Sequence, residues 1–496
     1  MIFQKNKGSN SNTQQALWLA ISSFSSLALA FLSSAILSRY FDKTEYGTYR
    51  QILYVYGTLQ TIFTVGLPSV FAYFIPRYSN EEGKYFVNKI NTLFVVLGCC
   101  FSLLLFLSSD LIADILQNRE LARGLKVFSI FPLFTLPTLG VEGLYTALRR
   151  TKDIAIYNTI SKLLMLACIV LPVVYIKGDY VVAIMGWGAA SFVIFIYAMY
   201  MKSKPYFGIA KKRIEKFYST VFNYSTPLMA ASIVGFFIAS SNQFFISRYY
   251  GTEKFAEFSN GFLSLPMIAM VGTSLKGVLL PLFSKAQKDS NLAGALFSYN
   301  SAVKRAVLVL LPMVVFCFVF GEQIMIFVYG KLYSSSTPFF RVSLFRDIFQ
   351  ILPYAAVLLA LGHTKMYFKS HLVSAIVLLP LSYLISKLEW PPITIIILFV
   401  VIETSRHLYL FNFIYRKEKM NLIPISMIKK ILTILIHSML VSVPICFVAI
   451  YISEHISFLL LRIIINLILF YSLLFLSQGL FKLNYYDPFK TLILKK

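Results

Sequence analysis

Within one long apolar run the chain reads "FFRVSLFRDIF", from Phe339 to Phe349. An ionisable side chain held in hydrocarbon is costly, so Arg341, Arg346 and Asp347 mark a candidate site. Arginine presents a planar fork of donors, which suits the paired oxygens of a diphosphate. Arg341 and Arg346 are five residues apart and do not share a helix face. Sequence neighbours on a helix point about 100° apart, so Asp347 is expected to be poorly placed to clamp Arg346. Asp347 is left to pair with another helix or to take up a coupling cation. Structural ion pairing between helices is the competing reading for both residues.

Other charged residues fall in apolar runs. Glu142 and Lys162 flank the turn at residues 149–153 at similar depth and are expected to face one another. Such a pair is either a packing salt bridge or a proton or cation site. Lys276 lies under two turns from a helix end, where it can receive a phosphate or snorkel to the interface. Arg39, Arg50 and Arg248 are placed at outer helix ends, with a gating or structural role set against substrate contact. Arg462 is expected to snorkel, and Glu403 and Arg406, one turn apart, to neutralise each other. The five histidines have no metal-ligand spacing. Cys99, Cys100, Cys168, Cys317 and Cys446 all sit in apolar runs and read as small apolar side chains. No metal site and no cofactor is expected; H+ or Na+ coupling is left open. The 31 tyrosines and 46 phenylalanines suit interfacial belts, with some free to stack on sugar rings.

The elements that must position these groups are membrane helices. Of 496 residues, 58% are hydrophobic and 14% charged, more apolar surface than a soluble domain can hide. The net charge of +25 sits mostly in short loops, so it reads as membrane topology and not as a nucleic-acid surface. A span needs about 20 mostly apolar residues, and fourteen are expected, at about 14–40, 46–76, 88–109, 124–148, 153–175, 180–200, 222–248, 256–282, 302–320, 336–361, 366–387, 391–414, 431–452 and 457–480. Basic residues concentrate in alternate loops: Arg149, Arg150 and Lys152; Lys202 to Lys216; Lys285 and Lys288; Lys365 and Lys369; Arg416 to Lys430. By the positive-inside rule these loops and both termini are cytoplasmic. Lys5 and Lys7 precede a first helix too long for a signal-peptide core, which is read as retained. The stretch from Met201 to Thr220 is read as a linker, partly an interfacial helix.

The chain also repeats itself. "LSRYFDKTEYGTYRQ" (Leu37–Gln51) is echoed by "ISRYYGTEKFAEFSN" (Ile246–Asn260), with Ser38 and Arg39 meeting Ser247 and Arg248 at an offset of 209 (247 − 38). "ALRRTK" (Ala147–Lys152) returns as "ALGHTK" (Ala360–Lys365), offset 213 (360 − 147), with Pro137 and Pro353 upstream. Small residues Ser22, Ser26, Ala30 and Ser33 are matched by Ala231, Gly235, Ala239 and Asn242 on one face each. Arg346 and Asp347 meet Leu133 and Phe134, so those charges have no first-copy mates. The expected organisation is an all-α integral membrane protein with two six-helix lobes related by an axis along the membrane normal. The first lobe spans 1–200, a basic linker 201–221, the second lobe 222–414, and two appended helices with a basic tail 415–496.

This plan resembles the polysaccharide flippases of the multidrug/oligosaccharidyl-lipid/polysaccharide exporter superfamily. The "LSRYFDKTEYGTY" corner is similar to the one those proteins carry between helices one and two. "ALRRTK" and "ALGHTK" resemble their short basic turns. The resemblance implies a non-enzymatic flippase in a bacterial inner membrane. It would move an undecaprenyl-diphosphate-linked oligosaccharide from the cytoplasmic to the periplasmic leaflet by alternating access, for O-antigen, capsule or exopolysaccharide. Expected partners are that lipid-linked substrate, membrane lipids and other polysaccharide-assembly proteins. A cation-coupled multidrug antiporter of the same superfamily and a membrane polymerase or glycosyltransferase are the alternatives.

Overall fold

The computed structural model describes residues 12–64, 66–289 and 291–487. Lys5, Lys7 and the end of the basic tail lie outside the described residues, as do the side chains of Ala231 and Lys288. Among the described residues the protein is all helix with no strand, and it divides into two units, residues 1–256 and 257–496.

The first unit contains α1 (Asn12–Tyr40), α2 (Lys43–Phe63), α3 (Pro68–Phe74), α4 (Asn80–Ile115), α5 (Arg119–Phe128), α6 (Pro132–Thr135), α7 (Val141–Ala147), α8 (Thr151–Ile176), α9 (Tyr180–Ser203) and most of α10 (Phe217–Gly261). Starts are written into the sequence. Asp42 accepts the Glu45 N–H at 2.8 Å to begin α2, and Ser79 and Glu82 form a reciprocal cap on α4. The repeated corner is built by two devices at one register. Asp42 caps in the first copy, and Gly251 (φ 80°, ψ 173°) breaks α10 in the second, 209 residues on (251 − 42).

The second unit contains α11 (Pro266–Lys288), α12 (Leu292–Val319), α13 (Gly321–Tyr329), α14 (Thr337–Gln350), α15 (Tyr354–Ala360), α16 (Thr364–Lys387), α17 (Pro392–Glu418), α18 (Ile425–His455) and α19 (Leu459–Ser477). The helices without a repeat mate are absorbed here: α18 packs on α12, and α19 on α13 and α18.

Several expected spans are broken. Expected helix two is divided into α2, which ends at Phe63, and α3, which Pro68 opens. Expected helix eight is divided: residues 256–261 are the end of α10, and α11 takes up at Pro266 after Phe262–Leu265 leaves the helical path. Expected helix four bends by 43° between α5 and the segment from Pro132 to Ala147. Its second bend lies at Leu136–Gly140, where Pro137 withholds an N–H and Gly140 adopts φ 86°. A Cβ on Gly140 would also lie 2.2 Å from the Phe71 ring. Helix ten parts at Ile351–Pro353.

Ten helices among the described residues are long and apolar enough to cross a membrane, or eleven with the bent pair, so the expected count of fourteen is not reached by length and composition. The linker differs from expectation too. Residues 207–216 are not helical, and Lys84 donates to the Ile209 carbonyl at 2.5 Å while Lys212 lies 3.5 Å from Glu82.

Candidate functional site

In the first unit the break in expected helix four forms one wall of a cavity of about 1010 Å3. Glu142, in the first turn of α7, and Lys162, on α8, both line it. They are not in direct contact, their charged atoms lying beyond 4.0 Å. Glu142 instead accepts from Asn158 Nδ2 at 2.5 Å, and the same amide nitrogen reaches Ser22 on α1 at 2.9 Å. Asn158 and Lys162 are one turn apart, so α8 presents amide and ammonium to one chamber. Tyr73 and Tyr224 also line it, with ring centroids 4.1 Å apart.

Lys162 lines a second, smaller cavity of about 170 Å3 with Arg50 and Trp187. Arg50 is therefore not at a helix end, as its place in the sequence suggested, but two turns into α2 and facing Lys162's cavity. Arg39 stays exposed in the last turn of α1. Its mate Arg248 donates Nη1 to the Asp114 carbonyl at 3.0 Å, which closes the end of α4. Beside it Gln51 donates to Ser247 at 2.8 Å and accepts from Asn118 at 2.6 Å.

The residue missed by sequence reasoning is Lys202. It was grouped with a solvated basic loop, yet it is 0% exposed at the end of α9. Its ammonium donates to Asn91 Oδ1 at 2.9 Å, to the Pro137 carbonyl at 2.8 Å and to the Leu139 carbonyl. Three N–H groups thus meet three acceptors. Two of those acceptors, the carbonyls of Pro137 and Leu139, lie where the chain leaves the helical path at Leu139 (ψ 150°) and Gly140 (φ 86°), so no helical N–H follows to meet them. The rings of Phe71 and Phe94 flank the ammonium at 5.1 and 5.2 Å.

In the second unit Asp347 is fully buried. Its Oδ1 accepts from Ser264 Oγ at 2.8 Å and its Oδ2 from the Leu265 N–H at 2.8 Å, at the start of α11. Arg346 Nη2 lies 3.3 Å from the same carboxylate, so the expectation that Asp347 is poorly placed to clamp Arg346 is corrected: arginine's long arm folds back over its neighbour. The Arg346 guanidinium sits over Phe262 at 4.5 Å. Arg341 donates Nε to the Phe318 carbonyl at 3.1 Å.

A polar chamber of about 350 Å3 lies among α11, α15, α16 and α17. Lys276, His371, Glu403, Arg406 and His407 line it, and Arg346 is not among its lining residues. Glu403 and Arg406 pair at 2.6 Å, as their spacing implied. Arg406 is buried, and no acceptor meets hydrogen-bond geometry at its Nε or Nη1, although the Tyr354 phenol is close by. His371 and His407 each bond Nδ1 to the carbonyl four residues back, Tyr367 at 2.9 Å and Glu403 at 2.7 Å. Each imidazole then keeps Nε2 for another partner. The chamber can hold an anion: two fixed cations and two imidazoles face one carboxylate that is already paired. The sequence marks Glu403 and Arg406 as a self-neutralising pair and the histidines as lacking metal-ligand spacing, so it does not bring these four residues together as the lining of one chamber.

Comparison with known proteins follows the same lines. A family model described as "Polysaccharide biosynthesis protein" matches residues 13–287. The succinoglycan biosynthesis transport protein ExoT of Rhizobium meliloti (strain 1021) is 24% identical over 334 residues, spanning 66% of this chain and 64% of that protein, just under two thirds of its length. Among solved structures, lipid II flippase MurJ in an inward closed conformation superposes with a TM-score of 0.68 at 15% identity, covering 93% of this chain and 99% of that one. A MOP superfamily transporter from Pyrococcus furiosus gives 0.59 at 12% identity, covering 82% and 97%. The structural matches share the fold. With more than half its length matched by the family model, this multi-pass membrane chain belongs to the polysaccharide biosynthesis protein family.

Proposed function

We propose that the protein is a flippase for an undecaprenyl-diphosphate-linked oligosaccharide, moving it from the cytoplasmic to the periplasmic leaflet of a bacterial inner membrane by alternating access. The observation that carries this reading is the cationic chamber of the second unit, where Lys276 and Arg406 face a space of about 350 Å3 among apolar helices. Carrying a diphosphate through hydrocarbon costs many kcal/mol unless fixed charges replace its water. Lys276 and Arg406 would receive phosphate oxygens, with Arg346 held beside them as a stacked, paired cation. The hydroxyls, amide and tyrosines of the first unit's cavity suit sugar rings. Family membership and the transport protein ExoT support the cargo class.

The multidrug antiporter reading needs a carboxylate free to exchange a cation. Asp347 is capped and paired, Glu403 is paired, and Glu142 is bonded to Asn158, which disfavours it. The test is deletion of the gene followed by mass analysis of lipid-linked intermediates. Accumulation of a complete undecaprenyl-diphosphate oligosaccharide is expected, with loss of surface glycan. A strain that accumulates none while its glycan is unchanged overturns the reading.

A further inference from the structure

A second cavity of the second unit, about 520 Å3, runs between α16 and α17 and belongs to neither polar chamber. Its character is apolar: Val373, Val377, Ile402 and Tyr409 form its sides. Its floor is Ser370 and Ser374, both nearly fully buried. These serines are one turn apart, and their short side chains leave a trough where the flanking positions carry bulk. Val373, Val377 and Tyr409 remain 51%, 42% and 54% exposed, so the trough is open along its length. Apolar side chains open to the outside on a membrane helix meet lipid chains.

One residue is shared by the trough and the polar chamber, Arg406. Its side chain is 7% exposed, Nη2 is bonded to Glu403, and the Tyr354 phenol is close by without meeting hydrogen-bond geometry at Nε or Nη1. Nε and Nη1 are buried donors with no acceptor in hydrogen-bond geometry. Leaving charged donors unmet in an apolar wall is unfavourable, which points to an acceptor supplied from outside the chain. Lys369 stands exposed on the trough's rim, and Lys276 faces Arg406's chamber. An apolar slot that ends at an under-used guanidinium, with lysines on both sides, matches an amphiphile with a long chain and an anionic head.

We propose that the α16–α17 trough holds the isoprenoid chain of a polyprenyl-phosphate carrier, with its phosphate bound at Nε and Nη1 of Arg406. This rests on the lipid-linked cargo proposed above and names the surface that grips its tail. A single trough between two helices takes one chain, which favours a one-chain prenyl phosphate over a two-chain phospholipid. Phosphate oxygens supply well-aligned acceptors to Nε and Nη1, while Nη2 keeps Glu403 in place. Lys276 offsets the carboxylate's repulsion.

The test uses the full chain in detergent, with decaprenyl monophosphate as probe and decaprenol and phosphatidylglycerol as controls, read by native mass spectrometry. Wild type is expected to retain decaprenyl monophosphate at least about tenfold better than either control, the size of a lost charge-assisted pair. Ser374→Phe, which fills the trough from its floor, should reduce retention by a similar factor. Arg406→Gln should bring the phosphate down to the level of decaprenol. Because Arg406→Gln disturbs a buried ion pair, a diazirine-tagged decaprenyl monophosphate gives an independent reading and should crosslink to peptides of α16 and α17. Undiminished binding in Ser374→Phe with no crosslink in those helices overturns the proposal. So does phosphatidylglycerol binding as tightly as the prenyl phosphate with the same loss in Ser374→Phe, which would make the trough an ordinary phospholipid site. Gene deletion separates the two readings. A chain that clears lipid-linked glycan in cells yet holds no probe in the trough refutes the trough alone; a chain that holds the probe there while its deletion accumulates nothing refutes the cargo alone.

Discussion

Lys202 Nζ lies 2.8 Å from the carbonyl oxygen of Pro137, 65 residues earlier in the chain. The helical path ends at Leu139 and Gly140, which leaves the carbonyls before them without partners, and a buried lysine from α9 supplies the missing donors. The segment so held continues into Thr138–Gly143, which walls the cavity containing Glu142 and Lys162.

Lys202→Met is therefore expected to leave the Pro137 and Leu139 carbonyls unmet, at about 1–3 kcal/mol for each. Thermal unfolding of the purified protein should show a marked drop in midpoint, larger than for Lys204→Met. An unchanged midpoint would mean that the break stands without its lysine.

Gly47 packs against the Thr252 backbone, where a Cβ would lie 2.2 Å from the carbonyl oxygen. Gly47→Val should cost at least about 1–3 kcal/mol by overpacking. Thr252→Ala should not rescue it, because the obstacle is main chain. Midpoints of the two single variants and the double variant check this; rescue by Thr252→Ala would place the clash in the side chain.

Glu142 and Lys162 share a cavity without touching, so exchanging their charges has little to restore. The Glu142→Lys/Lys162→Glu protein should export glycan no better than the worse single variant. The coupling energy from stability measurements should stay below about 0.5 kcal/mol, as for residues without a shared contact. Recovery by the swap would show that the two charges meet during transport.

Asp347 caps the start of α11 and neutralises Arg346. Asp347→Asn keeps an oxygen for the Leu265 N–H and should retain most export. Asp347→Leu takes the carboxylate from a largely enclosed Arg346 and the cap from α11, and should destabilise by about 3 kcal/mol. Export and unfolding midpoint, measured together, decide the role. An Asn variant that is stable but inactive would assign Asp347 to cation coupling instead.

Residues near one another in sequence revealed their relationships directly. The apolar runs made the chain a helical membrane protein because backbone groups in hydrocarbon must bond within their own segment. Pro137 and Pro353 were visible in the sequence inside spans expected to be whole, and the structure breaks both spans beside them. The Glu403–Arg406 spacing predicted a pair, as such a contact reaches no further than one turn. Tertiary structure alone decided which long side chains face which cavity. Lys202 looked like one of a run of loop lysines until α9 buried it against a break 65 residues away. Arg346 looked like the exposed cation of the site until Asp347 and Phe262 occupied it, and Arg406, which looked self-neutralised, kept two donors without acceptors. A helix pattern fixes depth along the axis. The rotation that selects a neighbour depends on packing against helices distant in sequence, and that information is shared among segments that no local pattern connects.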